Sequence, residues 1–127
     1  MIKEFSIQTN ERNEMIDITS IIEKEIKGMD EGTATVFVPH TTAAVTINEN
    51  ADPDVKSDML RKLKELFPKD DDYSHAEGNS DAHIKTSAIG SSETAIIKDG
   101  KLSLGTWQSI FFCEFDGPRR RKFILKA

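Results

Sequence analysis

Glu93-Thr94-Ala95-Ile96-Ile97-Lys98-Asp99-Gly100-Lys101-Leu102-Ser103-Leu104 is the stretch that decides the fold class. Asp-Gly between two runs of strand-forming residues is the strongest short-range hairpin signal, because both central residues of the turn need positive φ. Such a turn joins antiparallel neighbours. The segment therefore predicts strands over 93–98 and 101–104, in a sheet built mostly by antiparallel or mixed pairing.

Outward from this hairpin the pattern continues. Thr106 to Asp116 is apolar on both faces, with Trp107, Phe111, Cys113 and Phe115 against Ile110 and Phe112. A strand of that kind is central and covered on both sides, or partly buried by another subunit. Asp116-Gly117-Pro118 turns, and Arg119 to Lys126 makes a last strand. At the other end, residues 2–9 alternate, placing Phe5, Ile7 and Thr9 on one face, and Met15 to Ile18 forms a second short strand. Ser20 with Glu23 has capping-box spacing for a helix whose stripe is Ile18, Ile21, Ile22, Ile26 and Met29. Thr33 to Val38 reads as a buried strand that Pro39 ends, and Val45 to Ile47 resumes the extended pattern. Asp52-Pro53 opens a longer helix with the stripe Val55, Met59, Leu60, Leu63, Leu66 and Phe67, stopped by Pro68. Asp81 can cap a short helix from Ala82 to about Ile89, with Gly90 at its end. The sum is an α+β chain: one compact domain over 1–127 with two main helices and one short one.

Composition narrows the function classes. The 127 residues suit one domain with a real core. A net charge of −5 argues against a general nucleic-acid binder, whose affinity comes mainly from neutralised phosphates. No apolar run approaches the ~20 residues of a membrane span, and no secretory leader opens the chain. The single cysteine, Cys113, excludes an intrachain disulfide, fits a reducing cytoplasm, and reads as a buried thiol.

Tyr73-Ser74-His75-Ala76-Glu77-Gly78-Asn79-Ser80-Asp81-Ala82-His83 holds two of the three histidines and no large aliphatic side chain. In an extended backbone His75, Glu77, Asn79, Asp81 and His83 share a face; if a helix begins at Asp81, His83 comes round by helical turn and the helix start adds an anion site. The third histidine, His40, precedes Thr41 and Thr42, and after a short apolar run comes Asn48-Glu49-Asn50. If the two clusters meet, three imidazoles with one open position make a catalytic zinc arrangement, and imidazole favours zinc over magnesium or calcium. Three histidines with this spacing match no stringent zinc pattern. Glu49 and Asp81 are candidates for proton transfer or for orienting a histidine; helix capping is the plain alternative for both. Thr41 and Thr42 offer hydroxyls to a phosphate, Asn79 and Gln108 offer amides, and Arg119 offers a cation; the plain readings are strand, turn and surface residues.

His40-Thr41-Thr42-Ala43-Ala44-Val45 with Asn48-Glu49, then His75 to Lys85, Gly105-Thr106-Trp107-Gln108, and Glu114-Phe115-Asp116-Gly117-Pro118-Arg119 together resemble the YjbQ family over nearly the whole chain. The resemblance implies a homotrimer with histidines gathered in a metal-competent pocket, which assigns His40, His75 and His83 to a divalent metal, zinc ahead of magnesium or manganese. It also implies a cytoplasmic, metal-dependent transferase acting on phosphorylated small molecules. The specific expectation is thiamine-phosphate synthase activity, as a secondary activity, joining hydroxymethylpyrimidine diphosphate to thiazole phosphate. The alternatives are a metal-dependent phosphoester hydrolase and a non-catalytic trimer that binds a phosphorylated metabolite.

Overall fold

The computed structural model describes all residues, 1–127. Eight strands and three helices follow one another as β1 (Ile2–Gln8), β2 (Glu14–Asp17), α1 (Thr19–Ile26), β3 (Glu31–Phe37), β4 (Ala43–Glu49), α2 (Pro53–Leu66), α3 (Ser80–Ile89), β5 (Ser92–Lys98), β6 (Lys101–Leu102), β7 (Gln108–Glu114) and β8 (Arg120–Lys126). The hairpin forms as the sequence predicts. Ile97 pairs with Leu102 and Lys98 with Lys101, and φ is 52° at Asp99 and 74° at Gly100.

Every pairing is antiparallel. They make a five-stranded sheet in the order β1-β8-β3-β5-β6 and a three-stranded sheet in the order β2-β7-β4. The two-faced run at 106–116 becomes β7, at the centre of the smaller sheet. Ile110 and Phe112 enter a cluster of 15 buried residues shared with the larger sheet. Phe111 and Cys113, with Phe115 just beyond the strand, enter a second cluster of 6. The first cluster also takes Ile18, Ile22 and Ile26 of α1, all 0% exposed. Withdrawing each from water contributes about 1.5–3 kcal/mol.

Four local expectations change. The N-cap of α1 is Ile18, without a side-chain cap, so the Ser20–Glu23 box does not form. Instead the Thr19 N–H donates to Asp17 Oδ1 at 2.9 Å and Thr19 Oγ1 accepts from the Ile110 N–H at 2.8 Å, pinning the helix start to β7. Strand β3 is covered on one face only: Ala34, Val36 and Val38 are buried while Phe37 is 44% exposed. Helix α2 is capped by Asp52 as expected, but none of its residues is fully buried and Leu66 is 60% exposed. Its apolar contacts with the second cluster run through Met59, Leu60 and Leu63. Trp107, whose default is core, is 63% exposed in the loop before β7.

The outer face of the larger sheet is left bare by the chain, with Ile2 72% and Ile96 57% exposed beside Phe37. No helix is long and apolar enough to cross a membrane.

Candidate functional site

The 73–83 stretch is not an extended row. Residues 75–79 form a turn rather than a strand, Gly78 adopts φ 83°, and α3 begins at Ser80. The cap position is Asn79, which makes no side-chain cap bond. Asp81 does not cap either. Its carboxylate is fully buried and receives Arg12 Nη1 at 3.0 Å, Arg12 Nη2 at 3.1 Å and Lys85 Nζ at 3.0 Å. Lys85, 1% exposed, also donates to Asn13 Oδ1 at 3.1 Å and lies 5.9 Å from the Phe115 ring centre. Burial pushes the Asp81 carboxyl up, but the hydrogen bonds from Arg12 and Lys85 outweigh it and hold the carboxyl at about 2. A group so acidic and so enclosed takes no proton near neutral pH, which removes Asp81 as a general base.

Two shallow cavities flank this stretch. One, of about 370 Å³, is lined by Arg12, Lys69, Glu77, Gly78, Asn79, Asp116 and Arg119. Asp116 Oδ2 accepts from Asn79 Nδ2 at 2.9 Å and from Arg119 Nη2 at 2.8 Å, so the structure does bring Asn79 and Arg119 together. Asn79 Oδ1 is buried without a hydrogen-bond partner. The turn carrying Arg119 is fixed by Gly117: a Cβ there would run into the Glu11 carbonyl, Glu114 Cγ and Thr9 Oγ1. The other cavity, about 330 Å³, is lined by Tyr73, Ser74, His75, Ser80, His83 and Ile84. The His75 and His83 rings meet edge to face at 5.5 Å between centres. His75 Nε2 is 3.8 Å from Glu77 Oε1, an ion pair only when the imidazole is protonated.

His40 is elsewhere, with a different task. Its Nε2 accepts the Lys122 N–H at 3.0 Å. Pairing of β3 with β8 ends at Phe37 opposite Ile124, so the next inward N–H of β8 finds no strand carbonyl and takes the imidazole instead. Burial, and then the nearby Arg121 guanidinium, push the His40 pKa down, keeping the ring neutral and able to accept. The neighbouring hydroxyl is equally committed: Thr42 Oγ1 accepts from Arg121 Nη2 at 2.8 Å. Arg121, 5% exposed, also pairs with buried Glu114, which in turn receives the Thr9 hydroxyl at 2.8 Å. Burial raises the Glu114 pKa, but the hydrogen bonds led by Arg121 more than offset this and lower it. Thr41 is exposed and lines neither cavity.

Glu49 and Gln108 are also apart from the site. They pair with each other at the far end of β4 and β7, while Ala43 pairs with Glu114 at the near end. Six residues of strand rise separate the two ends by about 20 Å. Glu49 Oε2 accepts from the Asp52 N–H at 3.3 Å, and Gln108 Oε1 accepts from the Gly105 N–H at 2.8 Å. Both therefore hold turns.

The three-histidine metal assignment is thus corrected for a single chain: His75 and His83 converge, His40 does not. No group of three or more His, Cys, Asp or Glu side chains that could hold a metal exists in the chain. The donor set does not fit a three-ligand catalytic zinc site. Sequence reading missed Arg12, Lys69, Lys85 and Arg121 as site or framework residues. The i,i+4 spacing of Asp81 and Lys85 was a usable signal; Arg12, in a polar turn, offered none.

Comparison with known proteins places this geometry in a family. A family model described as UPF0047 protein YjbQ-like matches residues 3–127. UPF0047 protein MJ1081 of Methanocaldococcus jannaschii is 56% identical over 131 residues, covering 99% of this chain and 93% of its own. UPF0047 protein YugU of Bacillus subtilis is 51% identical over 129 residues, covering 99% and 98%. A crystal structure of an uncharacterized conserved YjbQ/UPF0047-family protein from Clostridium acetobutylicum superposes with a TM-score of 0.95 at 56% identity, over 98% of both chains. None of these descriptions carries an activity. The expectation of a metal-dependent thiamine-phosphate synthase, with its metal-dependent hydrolase alternative, is therefore corrected: the family is right, but its descriptions carry no such activity, and the metal centre on which that chemistry rested does not assemble in one chain.

Proposed function

Because the chain belongs to the YjbQ-like UPF0047 family, we propose a function from its own geometry: recognition of a small oxyanion in the cavity between Gly78 and Arg119. One observation carries this reading. Lys69 and Arg119 line the same cavity as Arg12, and Lys69 has no acidic partner within 4.0 Å. In a chain of net charge −5 the general field repels anions, so a cation left without an acidic partner is a specific feature, here in a lining that also holds Glu77 and Asp116. Arg12 is locked by Asp81, and Arg119 keeps Nη1 free while Nε and Nη2 hold Asp116. A cation already fixed in place loses little entropy on binding.

Sulfate titration followed by backbone NMR tests the reading. Shifts concentrated at Gly78, Asn79 and Arg119, and reduced in Lys69→Ala, are expected. Shifts spread evenly over surface lysines would overturn it.

We infer also that further copies of the chain cover the outer face of the larger sheet, which would build the trimer that the family resemblance implies. The support is that Ile2, Phe37 and Ile96 are all exposed on that one face, set among Glu4, Thr35, Lys122 and Lys126.

A further inference from the structure

We infer that the ligand of the Gly78–Arg119 cavity is a zwitterion: a small molecule carrying a cationic hydrogen-bond donor as well as an oxyanion. This rests on the oxyanion reading and narrows it. The lining of the cavity is of mixed charge. Arg12, Lys69 and Arg119 supply the cations, and Glu77 and Asp116 supply the carboxylates.

One carboxylate is paired with those cations and one is not: Arg119 holds Asp116, and none of Arg12, Lys69 and Arg119 comes within 4.0 Å of Glu77. Asp116 accepts Asn79 and Arg119 through Oδ2 alone, leaving Oδ1 without a donor. Glu77, 75% exposed, has as its nearest basic neighbour the His75 imidazole at 3.8 Å. Lys69 and Glu77 both line the cavity and do not come within 4.0 Å of each other, so neither neutralises the other. A plain anion drawn to Lys69 also meets the unpaired charge of Glu77, and that repulsion weakens its binding without abolishing it. A ligand with an ammonium beside its oxyanion satisfies both Lys69 and Glu77 at once, and the two opposite charges then select against either charge alone. The volume, about 370 Å³, suits a molecule of amino-acid size.

A matched pair of probes isolates the added charge: ethylphosphonate, and 2-aminoethylphosphonate, titrated calorimetrically at low salt and neutral pH. The aminated probe is expected to bind about tenfold tighter or better. Glu77→Gln, at an exposed position where folding is not at stake, is expected to close that gap from both sides, weakening the aminated probe and strengthening the other. Equal binding of the two probes, or a gap that Glu77→Gln leaves unchanged, would overturn the zwitterion while leaving the oxyanion reading standing. Binding of neither probe would overturn both.

Discussion

Lys85 Nζ lies 3.0 Å from Asp81 Oδ2, and the two side chains are 1% and 0% exposed. One turn of α3 thus carries a closed ion pair, and the same carboxylate reaches out through Arg12, which is 28% exposed, to the cavity wall. A buried pair of this sort is costly to break, because removing one partner strands the other charge.

Asp81→Ala is expected to destabilise the protein by about 3–5 kcal/mol, since Lys85 and Arg12 lose their acceptor together. Glu65→Ala, which removes an even closer partner of Arg61 (2.6 Å) but from an exposed pair, is expected to leave the stability nearly unchanged. Urea unfolding of both variants checks the contrast.

Acid should act through the same carboxylate. The folded pKa of Asp81 lies near 2, below its ordinary value of 3.8. Its contribution is therefore fully present above the unfolded value and is lost as pH falls from about 4 toward 2. Glu114, also lowered, acts with the same sign. The melting temperature is expected to drop across that window, and Asp81→Asn should flatten the slope. Asp58→Asn, at a side chain 73% exposed, should leave the slope unchanged.

His40 gives a second, milder dependence. Its pKa is lowered in the fold, so the neutral ring's contribution is present above the ordinary value of 6.5 and declines as pH falls below it. His40→Gln keeps an acceptor for the Lys122 N–H but does not titrate. Melting temperatures between pH 7 and 5 should show the decline in the parent and not in the variant.

Cys113 is 2% exposed, and burial pushes its thiol up to about 12. Alkylation by iodoacetamide at neutral pH is expected to be negligible in the folded protein and to appear on unfolding. Mass spectrometry with and without urea reads it.

Phe37→Asp places a charge on the outer face of the larger sheet, opposite Ile124. Light scattering coupled to size exclusion is expected to find an oligomer of the parent chain and a monomer of this variant. A parent that runs as a monomer would sink the proposed association.

The local chemistry of single elements was legible in the residues themselves. Asp99-Gly100 specified its turn because positive φ at both positions is a property of those two residues and needs no partner. The doubly apolar run around Phe111 and Phe112 announced a central strand, because both its faces had to leave water. Which polar groups meet was decided by the tertiary structure alone. His40 and His75 carry the same side chain in similarly polar surroundings, yet one caps a strand edge and the other lines a cavity, and only the end of the β3–β8 ladder distinguishes them. Arg12 and Asp81 are 69 positions apart, and no periodicity encodes a contact of that range. Patterning fixes how each segment buries its own apolar side chains, whereas charge pairing depends on where the packed segments come to rest.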